Sequence, residues 1–177
     1  EMGHGSDVQA LGTTATYDRE SGEFIINTPH HYAGKDYIGN AARHAQLAVV
    51  FAQLVIDGTS EGVHAFVVPI RDGETVLDGV RIEDCGLKMG LNGVDNGRIW
   101  FDQVRVPRTA LLNRFAEVSE DGVYSSPIES RNKRFFTMLG TLVLGRVSVG
   151  GAGVSAAKVA LNIAVRYANR RRQFAGE

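Results

Sequence analysis

The period of the apolar residues changes once along this chain, near Pro107, and that single change limits what the chain can fold into. Before it, short β-branched runs at 13–17, 24–27, 47–56, 64–69, 80–82 and 98–106 alternate with turn residues, and no long amphipathic segment separates them. Strands joined without crossover helices pair antiparallel, so a doubly wound parallel sheet is disfavoured and a small barrel or sandwich is expected. The turn chemistry agrees, since 19–22, Asp57-Gly58, Asp72-Gly73, Asp78-Gly79 and Asn96-Gly97 supply residues that tolerate positive φ. After an irregular polar stretch at 113–133, apolar residues recur every three or four positions from Phe135 to Tyr167, which is the helical period. The expected class is α+β: an antiparallel β-barrel or sandwich domain at 1–112, a connecting segment at 113–133, and the first helices of an α-helical bundle domain at 134–177.

Several function classes are excluded early. With 19 basic and 20 acidic residues the net charge is −1, so no global field recruits nucleic acid or an anionic membrane, and any anion site must be local. One cysteine, Cys85, rules out an internal disulfide framework and suits a reducing compartment. The most apolar run, 135–149, is interrupted by Gly140, Gly145 and Arg146 and is shorter than a bilayer requires, so no membrane span is expected. The five histidines have no Cys or carboxylate at ligand spacing, which argues against a metal site. No nucleophile elbow is present, and Ser125-Ser126 has nothing to activate it. Because the chain opens on Glu1 without an initiator methionine or a signal-like run, it reads as an excised piece.

Three segments carry chemistry. Residues 166–176, Arg-Tyr-Ala-Asn-Arg-Arg-Arg-Gln-Phe-Ala-Gly, end an apolar helix in guanidinium groups, an aromatic ring and glycine, a set suited to a diphosphate bonded to a ring system. The competing reading is an ordinary helix end, where basic residues complement the dipole. Residues 1–7 form a glycine-rich loop that can cradle an anion; its competitor is a plain surface turn, and its spacing fits neither a Rossmann fingerprint nor a P-loop. Residues 34–41 place an aromatic, two glycines and an amide together, as a flat ligand against backbone requires, and compete with a strand end and turn. Gly150, Gly151 and Gly153 mark a kink or a closely approached face of the second half.

Taken in order, these pieces resemble the flavin-dependent acyl-CoA dehydrogenase and oxidase superfamily over essentially the whole chain. Glu1-Met2-Gly3-His4-Gly5-Ser6-Asp7 matches its Thr-Glu-x-x-x-Gly-Ser-Asp signature without the leading threonine. Gly34 through Asn40 match the last seven positions of Gly-x-Lys-x-Trp-Ile-Thr-Asn, 101–107 match the Val-Pro after an aromatic strand, and Arg171-Arg172-Gln173-Phe174 match Arg-x-x-Phe-Gly, with Ala175 before Gly176. The resemblance implies that the β half is the family's middle domain and that the helical half opens its C-terminal helical domain. It further implies FAD as cofactor, with Gly5, Ser6, Tyr37 and Gly39 lining it and Arg171 and Phe174 reaching the FAD of a neighbouring subunit in a homodimer. Arg146 matches an arginine that in relatives meets the thioester or pantetheine end of an acyl-CoA.

Two departures favour the oxidase branch. Tyr37 and Gly39 stand where dehydrogenases carry tryptophan and threonine, which removes a hydroxyl beside the flavin and leaves room for oxygen. Residues 115–124 look like an insertion typical of the oxidases. The activity implied is desaturation of a fatty acyl-CoA to a trans-2-enoyl-CoA, with O2 reduced to hydrogen peroxide. The alternatives are a dehydrogenase passing electrons to an electron-transfer flavoprotein, and a flavin-free binding module. The family's base is a downstream glutamate or, in some members, sits beside the matched arginine. That second position is Gly145 here, so no catalytic residue is assigned and the base is expected beyond Glu177. A bacterial cytoplasm is the compartment expected, with the peroxisome as the alternative.

Overall fold

The computed structural model describes residues 1–174, which form two compact units, Glu1–Phe135 and the residues from Phe136 on. In the first unit β1 (Thr14–Asp18), β2 (Glu23–Asn27), β3 (Lys35–Gly39), β4 (Leu47–Ile56) and β5 (Thr59–Pro69) come first. A short ribbon, β6 (Arg71–Asp72) and β7 (Thr75–Val76), leads to β8 (Val80–Asp84), β9 (Asn96–Phe101) and β10 (Val104–Pro107). A five-stranded sheet has the order β10-β2-β1-β4-β5 and a three-stranded sheet the order β3-β9-β8. Alternate residues of β1, β2 and β4 are buried, as the period of two dictates: Ala15 and Tyr17, Phe24 and Ile26, then Val50, Ala52, Leu54 and Ile56. They meet Ile99 and Phe101 of the other sheet in one core, in which Phe24 and Phe66 pack edge to face at 5.0 Å.

The sandwich form of the expectation holds. Among the described residues no ladder joins the edge strands β10 and β5, so the larger sheet does not close into a barrel. One ladder departs from the antiparallel reading: β1 runs parallel to β4, pairing Thr14 with Gln53 and Ala15 with Leu54. The chain between them contains β2 and β3, long enough to return the strand in the same direction without a helix.

The run 98–106, expected as one strand, is two. Asp102 donates its N–H to the Gly79 carbonyl (2.7 Å) and Gln103 takes φ +51°, so β9 leaves the smaller sheet and β10 joins the larger one against β2. Asn96-Gly97 is not a turn either; it opens β9. Glycine is required there for a different reason, because a Cβ on Gly97 would sit 2.6 Å from the Ala42 nitrogen. By contrast Asp57 and Gly58 both take positive φ and make the tight β4–β5 hairpin that the sequence announces.

The polar stretch 113–133 is better ordered than expected. It carries β11 (Glu117–Val118) and β12 (Tyr124–Ser125), and Val118 lies in the core. Tyr17 Oη reaches the Glu120 carbonyl at 3.0 Å. The first turn of α1 (Arg131–Leu139) is fastened to β5 by Arg134, which is buried and donates to the Glu61 and Ile128 carbonyls at 2.7 and 2.9 Å. Beside it the buried His64 places Nδ1 2.9 Å from the Gly62 carbonyl and Nε2 3.1 Å from Tyr124 Oη, an arrangement that suits a neutral imidazole. Burial drives the His64 pKa down to about 4, helped by the Arg134 charge and opposed by the Gly62 carbonyl.

In the second unit α2 (Val143–Arg170) runs unbroken through Gly150, Gly151 and Gly153, and a Cβ at any of the three would meet nothing within 4 Å. The helix is exposed along its length. Because it continues far past Val149, the stretch Arg131–Arg170 reaches a mean hydropathy of 1.4 in its most apolar window and is long and apolar enough to cross a membrane by length and composition. A helix apolar on all sides is equally what the centre of a helical bundle requires.

Two predictions follow from the packing. Gly97→Ala forces a Cβ into backbone and is expected to cost roughly 2 to 3 kcal/mol in urea unfolding, whereas Gly39→Ala, which meets nothing within 4 Å, leaves stability nearly unchanged. For His64 the folded pKa lies below the unfolded value of 6.5, so the unfolded chain binds the extra proton and stability falls as pH drops from 6.5 towards 4. The loss is on the order of 3 kcal/mol, read by denaturation at a series of pH values, and His64→Gln is expected to abolish that part of the slope.

Candidate functional site

The loop 1–7 is anchored by one carboxylate. Glu1 is enclosed, its side chain 1% exposed, and it accepts from Lys35 Nζ (2.8 Å), Thr13 Oγ1 (2.7 Å) and the N–H groups of Gly12 (2.6 Å) and Thr13 (3.0 Å). His4 Nε2 lies 2.8 Å from Oε2, the oxygen that also accepts from Gly12. Burial alone would raise the Glu1 pKa, but the bonds from Lys35, Thr13 and Gly12 outweigh it and hold the group at about 2. Lys35 in turn donates to the Phe51 carbonyl of β4 at 2.7 Å, and burial pulls its pKa down against the pull of Glu1.

This network sets loop 1–7 against the entry to β3. Met2 and Gly3 donate their N–H groups to the carbonyls of Gly34 and Tyr32, at 3.2 and 2.9 Å. The structure therefore brings the Gly5–Ser6 loop alongside the segment that leads into Tyr37 and Gly39. Gly5 takes φ +59° and Ser6 is exposed. Beneath lies an apolar cavity of about 210 Å³ lined by Glu1, His4, Leu11, Ile38, Val50 and Phe51 among others. His4 Nδ1 is buried without a hydrogen-bond partner among the described residues.

β3 is an edge strand, so among the described residues the outward side of its backbone has no strand partner. Its ladder with β9 shifts register between Lys35 and Ile38, and Tyr37 takes φ +56° and is 61% exposed. A non-glycine residue held there is strained unless its surroundings fix it, and such strain concentrates at functional sites. Asp36 does part of the fixing, accepting from the Tyr37 N–H at 2.9 Å and from Arg98 Nε at 3.0 Å. Gly39 is exposed, and a Cβ on it would meet nothing within 4 Å. An edge strand, a presented aromatic ring, an exposed glycine and a hydroxyl-bearing loop fit a flat ring system with a polar tail, as a flavin is.

The remaining sequence candidates lie in the second unit. Arg146 is exposed on α2, Arg171 is the first residue past its end with its N–H on the Tyr167 carbonyl (2.8 Å), and Phe174 is 83% exposed. Ala175 and Gly176, which complete the motif, lie outside the described residues. Among the described residues no cluster of three or more His, Cys, Asp or Glu side chains is placed to hold a metal ion. Sequence reasoning took Glu1 only as a motif letter and passed over Lys35, Thr13 and His4. A carboxylate and a lysine 34 positions apart give no local signal of pairing.

Comparison with known proteins adds four findings. Residues 1–104 match the family model described as acyl-CoA dehydrogenase, middle domain. Peroxisomal acyl-coenzyme A oxidase 3 of Arabidopsis thaliana is 51% identical over 175 residues, covering 98% of this chain and 26% of the relative. Arabidopsis thaliana acyl-CoA oxidase 1 superposes over 100% of this chain and 27% of its own with a TM-score of 0.85 at 37% identity. Acyl-CoA oxidase-1 of Caenorhabditis elegans, solved in complex with FAD and ATP, does so over 100% and 26% with a TM-score of 0.73 at 39% identity. The chain thus spans about a quarter of the length of the curated relatives it matches. The bacterial cytoplasm expected from the sequence is corrected by these relatives, several of which, from plant and human, are named peroxisomal.

The Glu1 anchor has a pH signature. Its folded pKa of about 2 lies below the ordinary 4.5, so its contribution is complete above pH 4.5 and is lost as pH falls towards 2. Allowing for solvent screening, the loss is on the order of 2 kcal/mol, and Glu1→Gln is expected to remove that slope from acid denaturation curves.

Proposed function

This chain belongs to the acyl-CoA dehydrogenase middle-domain family, and on that premise we propose that the full-length protein is an FAD-dependent acyl-CoA oxidase. It converts a fatty acyl-CoA to the trans-2-enoyl-CoA and passes the electrons to O2, giving hydrogen peroxide. In this reading 1–112 is the middle β domain, 113–133 the oxidase-type connecting segment and 134–177 the start of the C-terminal helical domain.

FAD, when bound, supplies the acceptor for the hydride that leaves the β-carbon. The residues of this chain hold and orient. The β3 edge presents its main-chain groups and the Tyr37 ring to the flavin, and Gly5 and Ser6 approach from the loop that Glu1 anchors. Arg171 and Phe174 serve the FAD of the second subunit of a homodimer, where a guanidinium suits the diphosphate at any working pH. Arg146 meets the thioester or pantetheine end of the substrate. No carboxylate stands beside it, since Gly145 precedes it, so the base that takes the α-proton is supplied from beyond Glu177.

One observation carries the choice of oxidase over dehydrogenase: Gly39 leaves open space, with no side chain and no hydroxyl where the family's dehydrogenases place threonine. Relatives of half-identical sequence that are named oxidases support the same reading.

The test is hydrogen peroxide released per enoyl-CoA formed by the full-length protein in air, which is expected to be near one. Enoyl product that needs an added electron acceptor and yields no peroxide would make the protein a dehydrogenase, and a colourless, FAD-free protein would make it a binding module. Gly39→Thr is expected to retain FAD and to slow reoxidation by air about tenfold, ~1.4 kcal/mol of barrier, with enoyl formation preserved when an artificial acceptor is added.

A further inference from the structure

The segment after Gly39 is gripped from two sides by opposite charges. On one side Asp95, its carboxylate 6% exposed, accepts from the N–H groups of Ala42 (3.0 Å), Arg43 (3.0 Å) and His44 (3.1 Å) and from His44 Nδ1 (2.9 Å). Its main-chain carbonyl takes the Asn40 N–H at 2.9 Å. Burial would raise the Asp95 pKa, but His44 and these N–H groups hold the carboxyl below its usual range. On the other side the buried Arg71 spreads its guanidinium over the carbonyls of Ala45 (2.8 Å), Ala42 (3.1 Å) and Ala41 (3.2 Å). A carboxylate that collects N–H groups and a guanidinium that collects carbonyls leave a six-residue loop little freedom.

The grip is placed where the backbone needs it. Tyr37 and Asn40 flank Gly39, and both take positive φ, +56° and +62°. Residues in that region persist only when the surrounding structure over-determines them. Ala41 is fully buried, and Gly97 packs its bare Cα against Ala42, so the loop is seated as well as bonded. Neither charge is used by the chemistry set out above.

We propose that Asp95 and Arg71 are positioning residues for the flavin edge, holding loop 40–45 so that Tyr37 and Gly39 keep the conformation that receives the ring. This inference rests on the FAD reading of the β3 edge. It assigns neither residue a contact with the cofactor; both act through the backbone.

The experiment compares the full-length protein with Asp95→Asn and Arg71→Lys. The amide of Asp95→Asn keeps one acceptor and turns an NH2 either towards the Ala42 N–H or towards the Arg43 and His44 N–H groups, while Arg71→Lys keeps the cation and loses the fork. FAD affinity is measured by titrating the apoprotein, and the visible circular dichroism of the bound flavin is recorded at saturating FAD. The expected result is an FAD dissociation constant raised about tenfold or more in each variant, with an altered flavin circular dichroism even at saturation. A purely structural role would lower the melting temperature and leave the saturated spectrum as in the parent; that result in either folded variant overturns the proposal. Should Asp95→Asn fail to fold, Arg71→Lys alone decides by the same two readings. A parent that binds no FAD removes the reading on which the inference stands, and the inference with it, and is distinguished from the other outcomes because it is measured first.

Discussion

The buried carboxylate of Glu1 is the contact on which the first unit's functional geometry depends. Through Thr13 it reaches the start of β1, and through Lys35 it reaches β3 and the β4 carbonyl of Phe51, so one side chain links both sheets and the loop 1–7. A buried charge is tolerable only when its lone pairs are filled, and here three kinds of donor fill them: an ammonium, a hydroxyl and two peptide N–H groups. Removing either member of the Glu1–Lys35 pair leaves the other as an uncompensated charge in an apolar surround. The loop that carries Gly5 and Ser6 would then lose its registration against residues 32–35.

The same economy shapes the rest of the unit. The chain passes from the smaller sheet to the larger at Asp102-Gln103, which lets Phe101 and Val106 enter one core from two sheets. The connection 113–133 does not drift over the surface, because Tyr17, His64 and Arg134 each supply a polar contact to it or to the helix that follows. These contacts are local in space and remote in sequence.

That remoteness explains what the sequence made legible. Period-two alternation located β1, β2, β4 and β8 within a residue or two, and the helical period marked the chain beyond Phe135. Asp57-Gly58 announced its hairpin because both residues carry a local conformational demand. The parallel β1–β4 ladder, the split of 98–106 and the strand role of Gly97 were not legible, since each depends on what a residue meets across the fold. For the site, the motif letters located the Gly5–Ser6 and Tyr37–Gly39 segments, and the backbone contacts at Met2 and Gly3 bring those segments together. Lys35, Asp95 and Arg71 were invisible as site residues because their partners are set by tertiary packing, not by spacing.

The central claim is that the β3 edge, with Gly39 open and Tyr37 presented, receives the flavin ring. A crystal structure of the full-length protein with FAD tests it most directly. The account predicts the ring in van der Waals contact with Gly39 and Tyr37, with Ser6 at hydrogen-bonding distance from the cofactor and loop 40–45 in the conformation described. A flavin seated elsewhere, with Gly39 facing solvent, would contradict it.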